Sequence, residues 1–171
     1  SNVPIAREWY PYETQKNIEL RTTPTYSSNN LYGTIFAGTE LQIDLLHVTK
    51  AVVNSKTYWY APVQVNDDEV VYCDISDQSA IRPMRAPSGN DWWKYKVVWK
   101  DGVNIRAFAN SYPETNIVTK IPTNDTIELD LNHTMREPKY GDTWAFARYK
   151  QSDGTYVYGW CIESDSNYMQ K

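Results

Sequence analysis

The chain repeats itself, and that repetition limits what it can fold into. "IELRTTP" (Ile18 to Pro24) is echoed by "VNIRAFA" (Val103 to Ala109), each reading apolar, polar, apolar, Arg and then a turn-like segment. "YGTIFAGTELQIDLLH" (Tyr32 to His47) is echoed by "VTKIPTNDTIELDLNH" (Val118 to His133), which sets Asp44 beside Asp130 and His47 beside His133. "TYWYAPV" (Thr57 to Val63) matches "DTWAFAR" (Asp142 to Arg148), placing Trp59 on Trp144, and Cys73 in "EVVYCDIS" answers Cys161 in "YGWCIES". The chain has two His and two Cys in all, and both pairs fall at matched positions. A repeat of this length is the mark of a duplicated structural unit. Even the lead-ins correspond, "EWYPY" (Glu8 to Tyr12) with "DWWKY" (Asp91 to Tyr95). The Pro-, Gly- and Ser-rich segment 81–90 reads as a linker. The units are therefore expected at 1–83 and 84–171.

Each unit carries the pattern of β-structure. "ELQIDL" and "TIELDL" alternate apolar and polar residues, as half-buried strands do. "NDDE" (66–69) and "QSDG" (151–154) are turn signals between aromatic-rich runs and predict hairpins. No segment combines a helical period with caps. Five to seven short strands in about 80 residues predict a small barrel or sandwich, closed to protect its edges. The expected fold class is all-β, with two small barrels in tandem.

Fourteen Tyr and seven Trp are more rings than small cores need. Rings left at the surface suit sugars, peptides or a protein partner. The net charge of −4 and the lack of a basic cluster speak against nucleic acid and against capture of anionic polymers. No apolar run reaches the ~20 residues of a membrane span. The opening "SNVPIA" does not read as a signal peptide and admits a cloning remnant, so a segment cut from a longer protein is one expectation.

In order, "VNIR", an alternating strand, a Trp strand, a hairpin turn and "YGWCIESDSNYM" resemble a bacterial SH3 (SH3b) domain. Val103, Asn104, Ile105, Arg106, Trp144, Gly159, Trp160 and Tyr168 carry the likeness in the second unit. Tyr32-Gly33-Thr34-Ile35 and Ala37-Gly38-Thr39 carry it in the first, where Val71-Tyr72 replaces Gly-Trp. The prefaces and linker fall outside the likeness. The resemblance implies SH3-like barrels and a non-catalytic, extracellular region that holds a lytic enzyme, such as a phage endolysin, on bacterial peptidoglycan. Its partner would be wall glycan, or stem or cross-bridge peptide. The alternative is a protein-interaction or oligomerisation module of a bacterial or phage surface protein.

The candidate ligand contacts are rings and histidines. Tyr26, Tyr32 and Tyr112 lie in the region after each Arg strand, where SH3-like barrels commonly bind. Tyr58, Tyr60 and Phe146 share the aromatic strand with Trp59 and Trp144, and alternation sends Trp59 to the face opposite Tyr58 and Tyr60. His47 and His133 follow an alternating strand, with an Asp three residues earlier placed to orient each ring. Arg21 and Arg106 read as loop pins, since a guanidinium offers five donors. Cys73 and Cys161 read as buried thiols: no helix N-terminus precedes either to activate it. One His and one Cys per unit fall short of a zinc site. No paired carboxylates or phosphate-binding Gly-rich loop stand out. No metal, cofactor or catalytic residue is expected.

Overall fold

The computed structural model describes residues 7–77, 79–109, 117–136, 141–163 and 168–171. It is all-β, with two antiparallel sheets, and the chain divides into two compact units, one ending at Ile81 and the other beginning at Arg82. Each unit is a small barrel-like domain. No helix among the described residues is long and apolar enough to cross a membrane.

The first sheet runs β3 (Leu31–Ile35), β2 (Ile18–Arg21), β7 (Glu69–Asp74), β6 (Lys56–Asn66), β4 (Glu40–Ile43), β1 (Tyr10–Thr14) and β8 (Ile81–Pro83), with β5 (Thr49–Val53) also paired to β6. The second runs β11 (Ile117–Ile121), β10 (Val103–Arg106), β14 (Tyr156–Ile162), β13 (Thr143–Lys150), β12 (Thr126–Arg136), β9 (Trp92–Val97) and β15 (Met169–Gln170). The two orders correspond strand for strand from one edge inward. The aromatic prefaces prove to be sheet strands: Tyr10 pairs with Ile43 as Trp93 pairs with Leu129. Both expected hairpin turns join the strands assigned to them, β6 to β7 and β13 to β14.

Alternation fills the two interiors. Leu41 and Ile43 of β4, like Ile127 and Leu129 of β12, point inward, while Gln42 and Glu128 between them are only partly covered. The second core gathers Val97, Val103, Ile105, Ile121, Ile127, Leu129 and Cys161, among others. Fully burying one such aliphatic side chain is worth about 1.5–3 kcal/mol.

The units differ where β4 ends. In the first, a single 3₁₀ turn (Leu45–His47) leads into β5, and Asn54 and Ser55, both at positive φ, form the two-residue turn into β6. In the second, β12 continues as one long strand, with a bulge between Asp130 and Thr134.

Pairing registers correct one expected correspondence. Ala61 faces Cys73 as Ala145 faces Cys161, so Trp144 matches Tyr60, and Trp59 has no Trp counterpart. A one-residue offset along a strand moves a side chain to the other face. Trp59 is 44% exposed, whereas Trp144 is 4% exposed.

Candidate functional site

Two buried clips set the geometry of both units. Asp44 is fully buried, and its carboxylate accepts hydrogen bonds from the Leu46 N–H (2.9 Å), the Arg7 guanidinium (3.1 Å) and His47 Nδ1 (2.6 Å). Asp130, also fully buried, accepts from the Asp91 N–H (3.0 Å), the Asn132 N–H (3.0 Å), Asn90 Nδ2 (2.6 Å) and His133 Nδ1 (2.5 Å). Burial disfavours the Asp130 charge, but the Asp91 and Asn132 amides, Asn90 and His133 outweigh it and hold its pKa below the ordinary aspartate value. The Asp expected to orient each His does so. It also ties the start of the preface strand to the strand end, which gives the pair an architectural task. The ring of His47 is 40% exposed and that of His133 only 12%.

Arg21 pins its loop in the expected way. Its guanidinium donates to the Ser27 carbonyl (3.0 Å) and Asn30 Oδ1 (3.3 Å), bonds Glu19, and lies 4.5 Å over the Tyr26 ring. Tyr26 then stacks on Tyr58 (5.6 Å between centroids, 8° between planes), and Tyr58 stacks on Tyr60 (5.9 Å). Lys56 covers Tyr58 at 4.8 Å. The first unit thus holds a ladder of rings whose outer members are Tyr26 and Tyr58. Tyr60 is its buried foot, and burial, chiefly, pushes its pKa to about 12.

Tyr32 sits on β3 and is exposed; its pairing with Glu69 raises its pKa. Phe146 is interior, packed edge-on to Trp160 and stacked on Tyr158. Tyr112 lies outside the described residues. The structure therefore brings Tyr26, Tyr58 and Tyr60 together and leaves Tyr32, His47, His133 and Phe146 at separate places.

Three ring clusters were not singled out from sequence. Arg148 is held by Glu128 (3.0 and 3.3 Å) and lies over both Trp92 (4.2 Å) and Tyr156 (4.6 Å). Lys171 lies 4.0 Å over Trp93. Trp99 meets Tyr168 edge-on at 5.3 Å, forming one wall of a groove of about 350 Å³. Trp144 and Arg106 line the same groove. The pairing of sequence-distant rings that built these clusters had no signal in the sequence beyond the ring count.

Both cysteines are free and buried. Burial raises both thiol pKa values, that of Cys161 to about 12, so each is a protonated core side chain at neutral pH. Among the described residues no three His, Cys, Asp or Glu side chains converge as a metal site would need.

No protein-family model matches the sequence, and no curated protein matches it. Among solved structures, NlpC2 from Trichomonas vaginalis aligns with 98% of this chain at 12% identity and a TM-score of 0.32. The chain spans 49% of that protein's length. A likeness this slight carries no argument about fold or function.

Proposed function

We propose that the chain is a non-catalytic, extracellular module that grips bacterial cell wall, built from two SH3b-type units. The observation that carries this reading is the set of exposed rings each met by a cationic side chain: Trp59 near Lys50, Tyr156 under Arg148 and Trp93 under Lys171. Cation–π contacts of this kind hold a ring in place while one face stays available. Flat, pre-positioned faces suit sugar rings and short peptides. Two weak sites on one chain retain it on a repetitive polymer through effective concentration. The buried thiols support a binding role over a cysteine-nucleophile one.

The test is co-sedimentation of the intact chain with purified Gram-positive walls. Retention in the pellet is expected; recovery in the supernatant with every wall preparation sinks the proposal.

A second reading has its own support. Leu31, Phe36, Leu46 and Val52 of the first unit are exposed aliphatic and aromatic side chains, which suit a protein surface better than a sugar. Concentration-dependent assembly that buries tryptophan, without wall retention, is the outcome that favours an interaction module.

A further inference from the structure

The duplicated units carry opposite charge. Residues 1–81 have 5 Lys and Arg against 10 Asp and Glu, a net of −5, and residues 82–171 have 12 against 11, a net of +1. Strand pairing shows where the difference gathers. In the second sheet Lys94, Glu128 and Arg148 stand in one row across β9, β12 and β13, and Lys96 faces Thr126 in the next row. Lys150 follows Arg148 by two residues on β13, on the same face of that strand. The matching rows of the first sheet are Pro11, Gln42 and Gln64, then Glu13 facing Glu40. The turn from β6 to β7 adds the exposed Asp67 and Asp68. Leu41 and Ile43, like Ile127 and Leu129, point into the cores, so these rows lie on the outer faces. Lys96 therefore stands where the first unit has Glu13, and Arg148 where it has Gln64. Solvated lysines are ordinary on a surface. The unusual feature is that the equivalent face of the other unit bears the complementary charge. Lys94, Lys96 and Lys150 are exposed and have no ion-pair partner among the described residues, whereas Arg148 is held by Glu128.

We propose that the basic outer face of the second unit docks the acidic outer face of the first unit of a second copy of this chain. Each copy brings both halves of the contact. Like faces repel and unlike faces attract, so the pairing is head to tail. A contact of this kind is heterologous: it either closes on itself or continues from copy to copy. Three strands about 4.8 Å apart make a patch of modest area, so the association is weak and salt-sensitive. A long polyanion would also answer the lysines, but it would have to approach a chain of net charge −4. The inference goes beyond the wall-binding reading and does not depend on it.

The test is sedimentation equilibrium of the intact chain over a range of concentrations. The weight-average mass of the wild type should rise above that of a monomer as concentration increases. Going from about 10 mM to about 1 M salt shortens the Debye length from about 30 Å to about 3 Å and should weaken the association about tenfold or more. K96E/K150E and E13K/E40K should each stay monomeric, with melting temperatures near that of the wild type. Mixed in equal amounts they should associate again, because each then offers the face the other lacks. A merely destabilised variant cannot show that restoration. Should E13K/E40K fail to fold, E13Q/E40Q takes its place: monomeric alone, and associating when mixed with K96E/K150E. A wild type that stays monomeric throughout, an association indifferent to salt, or folded variants that mixing does not rejoin overturns the inference. Linear polyphosphate that binds a monomeric wild type but not K96E/K150E assigns the basic face to a polyanion and overturns it as well.

Discussion

In the first unit the strand position opposite Asp74 carries Tyr60, on which Tyr58 stacks, with Tyr26 stacked in turn on Tyr58; in the second the same position, opposite Ile162, carries Trp144 and borders a groove. The strands around both positions pair in the same way. What changed is which side chains fill the space beside them. A duplicated barrel can therefore keep its pairing and its Asp–His clip while the surface at one matched strand position becomes a closed ring ladder in one copy and an open cleft in the other.

The sharpest way to break the comparison is to exchange the residues at which the copies diverge. Val71 and Gly159 occupy matched places, yet a Cβ on Gly159 would sit 2.4 Å from Ile105 Cγ2 and 2.5 Å from the Arg106 carbonyl oxygen. Strand β10 passes too close for any side chain. G159V should destabilise the second unit by about 3 kcal/mol, through overpacking against backbone. Chemical denaturation followed by near-UV circular dichroism should show the second unit's transition move and the first unit's stay.

The clip comes next. D130N should cost the second unit about 2 kcal/mol at neutral pH, because an amide presents an N–H₂ to donors that need an acceptor. The sign of its pH dependence is fixed. The folded pKa of Asp130 lies below its unfolded value. Its stabilisation is therefore complete above the unfolded value near pH ~4 and is lost as pH falls through the folded one. Acid titration of unfolding free energy should show a shallower decline in D130N than in wild type.

Smaller effects sharpen the picture of the first unit. R21A removes the pin on the loop through Ser27 and Asn30 and the cation over Tyr26, and should cost about 1 kcal/mol. Amide exchange should quicken at Thr22, whose N–H bonds the Asn30 carbonyl. Smallest in stability is W59A: a solvent-facing ring contributes less than about 0.5 kcal/mol. Retention on walls should nevertheless fall in W59A, and thermal melting checks that the fold is intact.

Much of this was legible in the sequence because it was written twice. Matched Asp–His spacing announced the clips, and alternation in "ELQIDL" and "TIELDL" announced which faces were buried. Arg21 acts as the loop pin its donor count suggested. The register of the aromatic strand was not legible. Aligning Trp59 with Trp144 matched like with like, but the true correspondence follows the small residues, Ala61 and Ala145, that face the two cysteines. Tryptophan identity outweighed a one-residue shift that only strand pairing reveals, and with it went the expectation that the two rings do the same work. The prefaces fall outside the family likeness, and nothing local distinguishes a lead-in from the sheet strands that β1 and β9 prove to be. The groove was not legible either, since Trp99, Arg106, Trp144 and Tyr168 meet only through pairing of distant strands.

One mixture tests the central claim most directly: the intact chain incubated with purified Gram-positive walls, then spun, with both pellet and supernatant analysed. Saturable recovery of the chain in the pellet, with no soluble muropeptide released, is the predicted result. A chain left wholly in the supernatant, or walls that dissolve as it is added, would contradict it.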